Sequence, residues 1–132
     1  VSAGTALALD ARRADGQHLG GLSAPGVRLM QHSLLDATAL VRPQRSGEIL
    51  ELADNTADAV TSGCWQAAVA LIERFHAHLL RQLGATPTLI LGGGDARQLA
   101  SMLSVPSLLA GDGVLHGLAL WADAHLRSSP TI

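Results

Sequence analysis

The run from Asp54 to Leu83, DNTADAVTSGCWQAAVALIERFHAHLLRQL, is free of proline and limits the fold more than any other stretch. Ala57, Val60, Cys64, Ala67, Leu71, Phe75 and Leu79 recur every three or four residues, which predicts one apolar face of a long helix. Trp65, Val69, Ile72 and Leu83 add a second stripe, so the helix is expected to pack on two sides. At about 1.5 Å per residue it would span roughly 40 Å, which leaves part of the second face for another domain or subunit. Asn55 or Asp54 can cap its first turn, and Gly84 followed by Pro87 supplies the stop. Gly63 inside the pattern weakens the helix by about 1 kcal/mol relative to alanine. Close approach of another backbone, or a small kink, would account for it.

Upstream, Val1–Ala11 alternates Leu7 and Leu9 with Ala8 and Asp10, as a strand does. Ala14–Gly16 is a turn signal, and Gln17–Leu22 can return as the second strand of a hairpin. Gly4, Thr5 and Ala6 join bare backbone to a hydroxyl, a combination that suits phosphate oxygens but also an ordinary tight strand. Gly20-Gly21 reads as close packing or a bulge, with a phosphate role as the lesser alternative. Val27–Leu40 is a helix with Leu29, Met30, Leu34, Ala37 and Leu40 on one side; Met30 fills a core gap and His32 is exposed or capping rather than a metal ligand. Val41–Ala53 is a loop with a short extended piece. Thr56, at the start of the long helix, is either a plain first-turn residue or part of an anion site at the helix N-terminus.

Thr86–Leu91 is a short apolar strand running into Gly92, Gly93, Gly94 and Asp95 and then a helix over Ala96–Leu103. Strand, glycine turn and helix is the arrangement of a nucleotide-proximal loop in an α/β domain, although neither a dinucleotide fingerprint nor a Walker loop is present. The glycines can receive a flat ring or simply make a sharp turn, and Asp95 can cap the helix. Val105–Leu109 is an edge strand or loop, and Val114–Leu126 is a last helix with Leu115, Leu118, Ala119, Ala122 and Leu126 facing inward. His116 and His125 have no ligand spacing. The order predicts a mixed α/β layer domain, a sheet opening with a hairpin and covered by helices.

Composition narrows the function. Charged residues are only 15% and hydrophobic ones 48% of the 132 residues, so a core is available but little charge covers a free surface. With a net charge of −2 and nine scattered arginines but no lysine, no nucleic-acid partner is expected. Every apolar run is interrupted, so no membrane span is expected. Cys64 stands alone, which fits a buried small hydrophobe in a reducing, cytoplasmic setting. The chain opens on Val1, straight into an apolar alternation, and reads as part of a longer polypeptide.

VSAGTALALD, GQHLGGLSAPG, LMQHSLLDATAL, NTADAVTSG, LILGGGDA and VLHGL, in this order and spacing, resemble the second half of the type III pantothenate kinase family, which includes the Bvg accessory factor. The resemblance implies that residues 1–132 form the C-terminal ribonuclease H-like domain of a two-domain member of the acetate and sugar kinase, Hsp70 and actin superfamily. It implies ATP-dependent phosphorylation of pantothenate, the first step of coenzyme A synthesis, with a divalent cation such as Mg2+ and a monovalent K+ or NH4+. It also implies a missing N-terminal domain and a homodimer through the long helix. Gly4, Thr5 and Ala6 would contact ATP phosphate, Gly92, Gly93 and Gly94 the adenosine end, and Thr56 pantothenate. The base, an aspartate in Gly-x-Asp-Arg, belongs upstream, so the isolated piece would be inactive.

Three departures stand out. Ser2 replaces the aspartate usual for the monovalent cation, and a hydroxyl is a poorer ligand for a hard cation than a carboxylate. Gly92 replaces a threonine, and Ala53 a glycine. A non-catalytic accessory protein of the same fold, or another sugar or acid kinase of the superfamily, are the competing expectations.

Overall fold

The structure is a computed structural model that describes residues 1–38 and 45–127. Leu40 and most of the residues expected in the loop start (Val41 to Gln44), together with the tail 128–132, lie outside the described residues.

The expected first strand is two strands. β1 (Ser2–Ala3) turns back at Gly4-Thr5 into β2 (Ala6–Arg12), pairing Ser2 with Ala8 and Ala3 with Leu7 in antiparallel register. Apolar alternation reports faces but not reversals, and so missed a turn this tight. Leu7, Leu9 and Ala11 of β2 are buried, as the alternation predicts. β3 (His18–Pro25) pairs antiparallel with β2, with a register shift between Ala11 and Arg12 opposite the Gly20-Gly21 end. A Cβ at Gly21 would overlap the Leu9 carbonyl, so the close-packing and bulge readings of this pair both hold.

β4 (Leu89–Leu91) and β5 (Ser107–Leu109) pair in parallel, and a parallel bridge from Ser2 to Gly92 joins them to the hairpin. The five strands therefore run β3-β2-β1-β4-β5, with the first strand at the centre. This is the mixed α/β, ribonuclease H-like arrangement expected from the sequence.

α1 (Val27–Ala37) follows β3 directly. Its inward side is Val27 and Met30 rather than the expected row through Leu29 and Leu34, both of which are exposed. α2 (Thr56–Leu83) has the predicted limits: Asn55 caps it through Asp58 N–H, and Gly84 closes it in the left-handed conformation. Its buried line is Cys64, Ala68, Ile72 and Leu79, so Ile72 of the second stripe lies at the centre and Ala67 of the first is exposed. The predicted arc was right in width and rotated in position. A Cβ at Gly63 would meet nothing within 4 Å, so the expected close approach of another backbone is not found among the described residues, and α2 runs on through it. The Cys64 thiol is buried, which pushes its pKa up and keeps it protonated.

α3 (Ala96–Met102) buries Leu99 against this core. Ser104, just beyond it, donates through both N–H and hydroxyl to Glu73 Oε1 at 2.8 and 2.6 Å, tying the approach to β5 onto α2 and lowering the Glu73 pKa. α4 (Gly113–Arg127) departs most from expectation. Leu115, Leu118 and Ala119 are exposed and Ala122 is half-buried, while the Leu126 side chain lies outside the described residues. Periodicity identifies an apolar face, and here nothing in the described chain covers it.

Candidate functional site

Three close backbone approaches build the site at the turn between β1 and β2. Gly26 N–H donates to the Thr5 carbonyl at 2.8 Å, and a Cβ on Gly26 would overlap the Gly4 carbonyl. The start of α1 is thereby fixed on the Gly4-Thr5 turn. From the other side Ala3 N–H donates to the Gly92 carbonyl at 2.7 Å, and Asp95 N–H donates to the Ala3 carbonyl at 3.2 Å. Gly93 has φ 100° and passes so close to Ala3 that any side chain would collide with its carbonyl.

The glycine run therefore divides by role. Gly92 and Gly93 fit the β4 end against β1, whereas Gly94 has open space at its Cβ position and faces a cleft. That cleft, 350 Å³, is lined by Gly4, Thr5, Gly94, Asp95, Arg28, Leu29 and His32. Gly4 and Thr5, which the sequence singled out for phosphate, thus meet Gly94, which it singled out for adenosine. Ala6 is exposed and paired to Pro25 in the sheet, outside the lining.

Asp95 differs from its expected capping role: it occupies the N-cap position of α3 without a side-chain cap bond. Its side chain is 11% exposed and lies 3.9 Å from Arg28 Nε. Ser2 is exposed in β1, and among the described residues no group of three or more His, Cys, Asp or Glu side chains gathers around it or elsewhere.

A second cleft, 540 Å³, opens between α1 and α2 and shares Arg28 and His32 with the first. Trp65, Val60 and Leu35 give it apolar walls, and Gln31, Thr61, Ser46 and Arg45 give it polar ones. Thr56 is exposed on the first turn of α2 and does not line it, although its neighbour Ala57 does.

A polar network beside this second cleft, joined to it through Arg45, is not apparent in the sequence. Asp58, 5% exposed in its side chain, accepts a bidentate pair from Arg45 at 2.9 and 2.8 Å. It also accepts from Glu48 N–H at 2.7 Å and from Asn55 Nδ2 at 2.6 Å. The Arg45 fork, then the Glu48 amide and Asn55, hold the Asp58 carboxyl far below the usual carboxylate range. One turn on, Ser62 Oγ accepts from Leu50 N–H and donates to the Glu48 carbonyl, and Gln66 Nε2 donates to the Leu50 carbonyl. Asp58, Ser62 and Gln66, spaced four apart, pin residues 45–51 along one edge of α2. Asn55 as an N-cap, accepting from Asp58 N–H, was the one signal available. The Asp58 carboxylate already faces the α2 N-terminus, where the sequence left room for an exogenous anion near Thr56.

Arg28, His32 and Asp95 were not assigned to a site from sequence. Their convergence depends on α1 starting at the Gly4-Thr5 turn, which no local pattern encodes.

Comparison with known proteins places this geometry. The family model for type III pantothenate kinase matches residues 1–78. The type III pantothenate kinase of Xanthomonas oryzae pv. oryzae is 46% identical over 121 residues, covering 92% of this chain and 49% of that protein. That of Laribacter hongkongensis is 45% identical over 120 residues, covering 90% and 49%. A Campylobacter jejuni protein described as a Baf family transcriptional activator superposes with a TM-score of 0.69 at 19% identity, over 96% of this chain and 57% of that one, and so shares the fold. The chain spans about half the length of the curated relatives it matches. With a family model that covers more than half of its residues, the chain belongs to the type III pantothenate kinase family.

Proposed function

We propose that this chain is the C-terminal, nucleotide-facing domain of a longer two-domain polypeptide that phosphorylates pantothenate with ATP. The observation that carries the reading is the meeting of Gly4, Thr5 and Gly94 in one cleft that opens, through Arg28 and His32, onto a second. The first cleft suits nucleotide phosphates, with Thr5 and the Gly94 backbone as donors. The second, apolar on one wall and polar on the other, suits the acceptor, with Thr56 near its rim. Their shared wall is where transfer would occur.

In that step the acceptor hydroxyl oxygen bonds to the γ-phosphorus, and the bond from phosphorus to the β–γ bridging oxygen breaks. The electron pair leaves on ADP, and the hydroxyl proton passes to a carboxylate of the other half of the enzyme. The residues of this chain position the phosphates and offset their charge, which is most of what phosphoryl transfer asks of a protein. Among the described residues Asp95 is the one carboxylate lining the phosphate cleft, so a Mg2+ ion would be held chiefly by phosphate oxygens with Asp95 beside it. Such an ion neutralises charge on the oxygens of the transferred group. Ser2 offers a hydroxyl where the resemblance expects a carboxylate, so a K+ or NH4+ requirement would be relaxed.

A homodimer through α2 fits the row of small exposed residues Ala59, Gly63, Ala67 and Ala70. Among the described residues no helix is long and apolar enough to cross a membrane.

The test is coupled ADP release by the natural polypeptide that carries this chain, with and without pantothenate. Release that requires pantothenate supports the enzyme. Equal release without it, or with other sugars and acids alone, overturns the substrate. Silence from a folded protein overturns the kinase reading in favour of an accessory protein, which the loss of the carboxylate at Ser2 would also suit.

A further inference from the structure

Arg28 stands where the two clefts meet and contributes little to the fold. Its side chain is 83% exposed, and its nearest anionic group is Asp95, 3.9 Å from Nε, beyond hydrogen-bonding distance. Among the described residues neither terminal nitrogen of its fork has a hydrogen-bond partner. Arg45, which lines the second cleft with it, is committed to Asp58 by two short bonds.

Position makes Arg28 unusual. It lies in the first turn of α1, where the helix dipole already presents positive charge and no acidic residue offsets it. A cation there is disfavoured unless an anion faces it, and Asp95 at this distance answers only part of that charge. The approach of Gly26 to Gly4 and Thr5 also fixes the Arg28 backbone relative to the phosphate turn. From that fixed backbone the Arg28 side chain lines both the phosphate cleft and the α1–α2 cleft.

The geometry points to Arg28 as the residue that holds the γ-phosphoryl group during transfer, leaving Asp95 for two phosphate oxygens. This rests on the kinase reading and adds a role to it. A planar fork bonds two oxygens of a phosphate at once, which a lysine ammonium does not reproduce. Charge on the transferred group is spread over its equatorial oxygens as the bond to ADP loosens, so a donor at the shared wall acts most strongly in the transition state. His32, the other shared residue, lies one turn further along α1 on the same wall.

The experiment compares Arg28→Gln and Arg28→Lys with wild type in the natural polypeptide. For Arg28→Gln kcat is expected to fall about 100-fold, the scale of losing one preorganised transition-state donor, with KM for ATP rising about 10-fold and KM for pantothenate shifting less than about threefold. Arg28→Lys should recover part of the loss. Affinity for a non-hydrolysable ATP analogue should drop about 10-fold while that for ADP stays unchanged, because only the γ-phosphate is held. Thermal unfolding of both variants should match wild type, since the side chain is exposed. A kcat within threefold of wild type, or an equal loss of ADP and analogue affinity, overturns the role of Arg28 while leaving the kinase reading intact. A wild type that neither binds nucleotide nor turns over overturns the kinase reading and this role with it.

Discussion

Replacing Gly93 by alanine should damage the fold, whereas the same change at Gly94 should damage only the site. Gly93 has φ 100°, outside the left-handed well that other residues tolerate, and holding alanine there costs about 1–3 kcal/mol. Its new methyl group would collide with the Ala3 carbonyl, which accepts from Asp95 N–H at 3.2 Å. Displacing that carbonyl loses a hydrogen bond worth about 0.5–1.5 kcal/mol. Together these give about 2–4 kcal/mol, or a fall of about 1–2 M in the urea midpoint at the usual sensitivity of a small protein. Gly94 has neither a positive φ nor an atom within 4 Å of its Cβ position, so Gly94→Ala should stay within about 0.5 kcal/mol of wild type. It should instead weaken nucleotide binding. Urea titrations followed by circular dichroism, with calorimetry of ATP binding, separate the two. A Gly93→Ala midpoint equal to that of wild type would refute the division of the glycine run.

Other outcomes follow from the same contacts. The Asp58 pKa is depressed by folding, so its stabilisation is full above the unfolded value of about 3.9 and is lost as pH falls through the lower folded value. Asp58→Asn should therefore be less stable than wild type at pH 7, with the gap closing on acidification below about pH 4; a gap constant across that range in urea titrations would contradict this. Ser62→Ala removes a buried hydroxyl that both accepts from Leu50 N–H and donates to the Glu48 carbonyl, and should cost about 1–3 kcal/mol with faster proteolysis within residues 46–51. Unchanged cleavage would show that the loop is held elsewhere. Thr5→Val should weaken ATP binding by about 0.5–1.5 kcal/mol, or 2- to 12-fold, in calorimetry, and unchanged affinity would remove Thr5 from the phosphate site.

The parts of the fold that were legible in the sequence are those set by local chemistry. Asn55 and Gly84 mark the ends of α2 because capping needs only their own side chain or backbone freedom. Leu7 and Leu9 declare the buried face of β2 because strand period is fixed at two. The misread parts depend on partners distant in sequence. The α2 face centres on Ile72 because β2 and β4 meet it there, and β1 separates from β2 because Gly92 offers it a parallel neighbour. The helical pattern of α4 was legible, but its expected burial was not met, since no described element covers Leu115 and Leu118.

The candidate site divides the same way. Gly4, Thr5 and Gly94 were visible as residue types that suit phosphate and nucleotide, whereas Gly92 and Gly93 look identical to Gly94 in sequence and serve packing instead. Arg28, Asp95 and Arg45 were invisible because a charged residue announces its charge but not its neighbours.

The most direct measurement is a crystal structure of the natural polypeptide carrying this chain, bound to a non-hydrolysable ATP analogue. The account predicts phosphate oxygens within hydrogen-bonding distance of Thr5 and the Gly4-Thr5 backbone, with Gly94 beside the nucleoside. A nucleotide seated away from the Gly4, Thr5 and Gly94 cleft would contradict it.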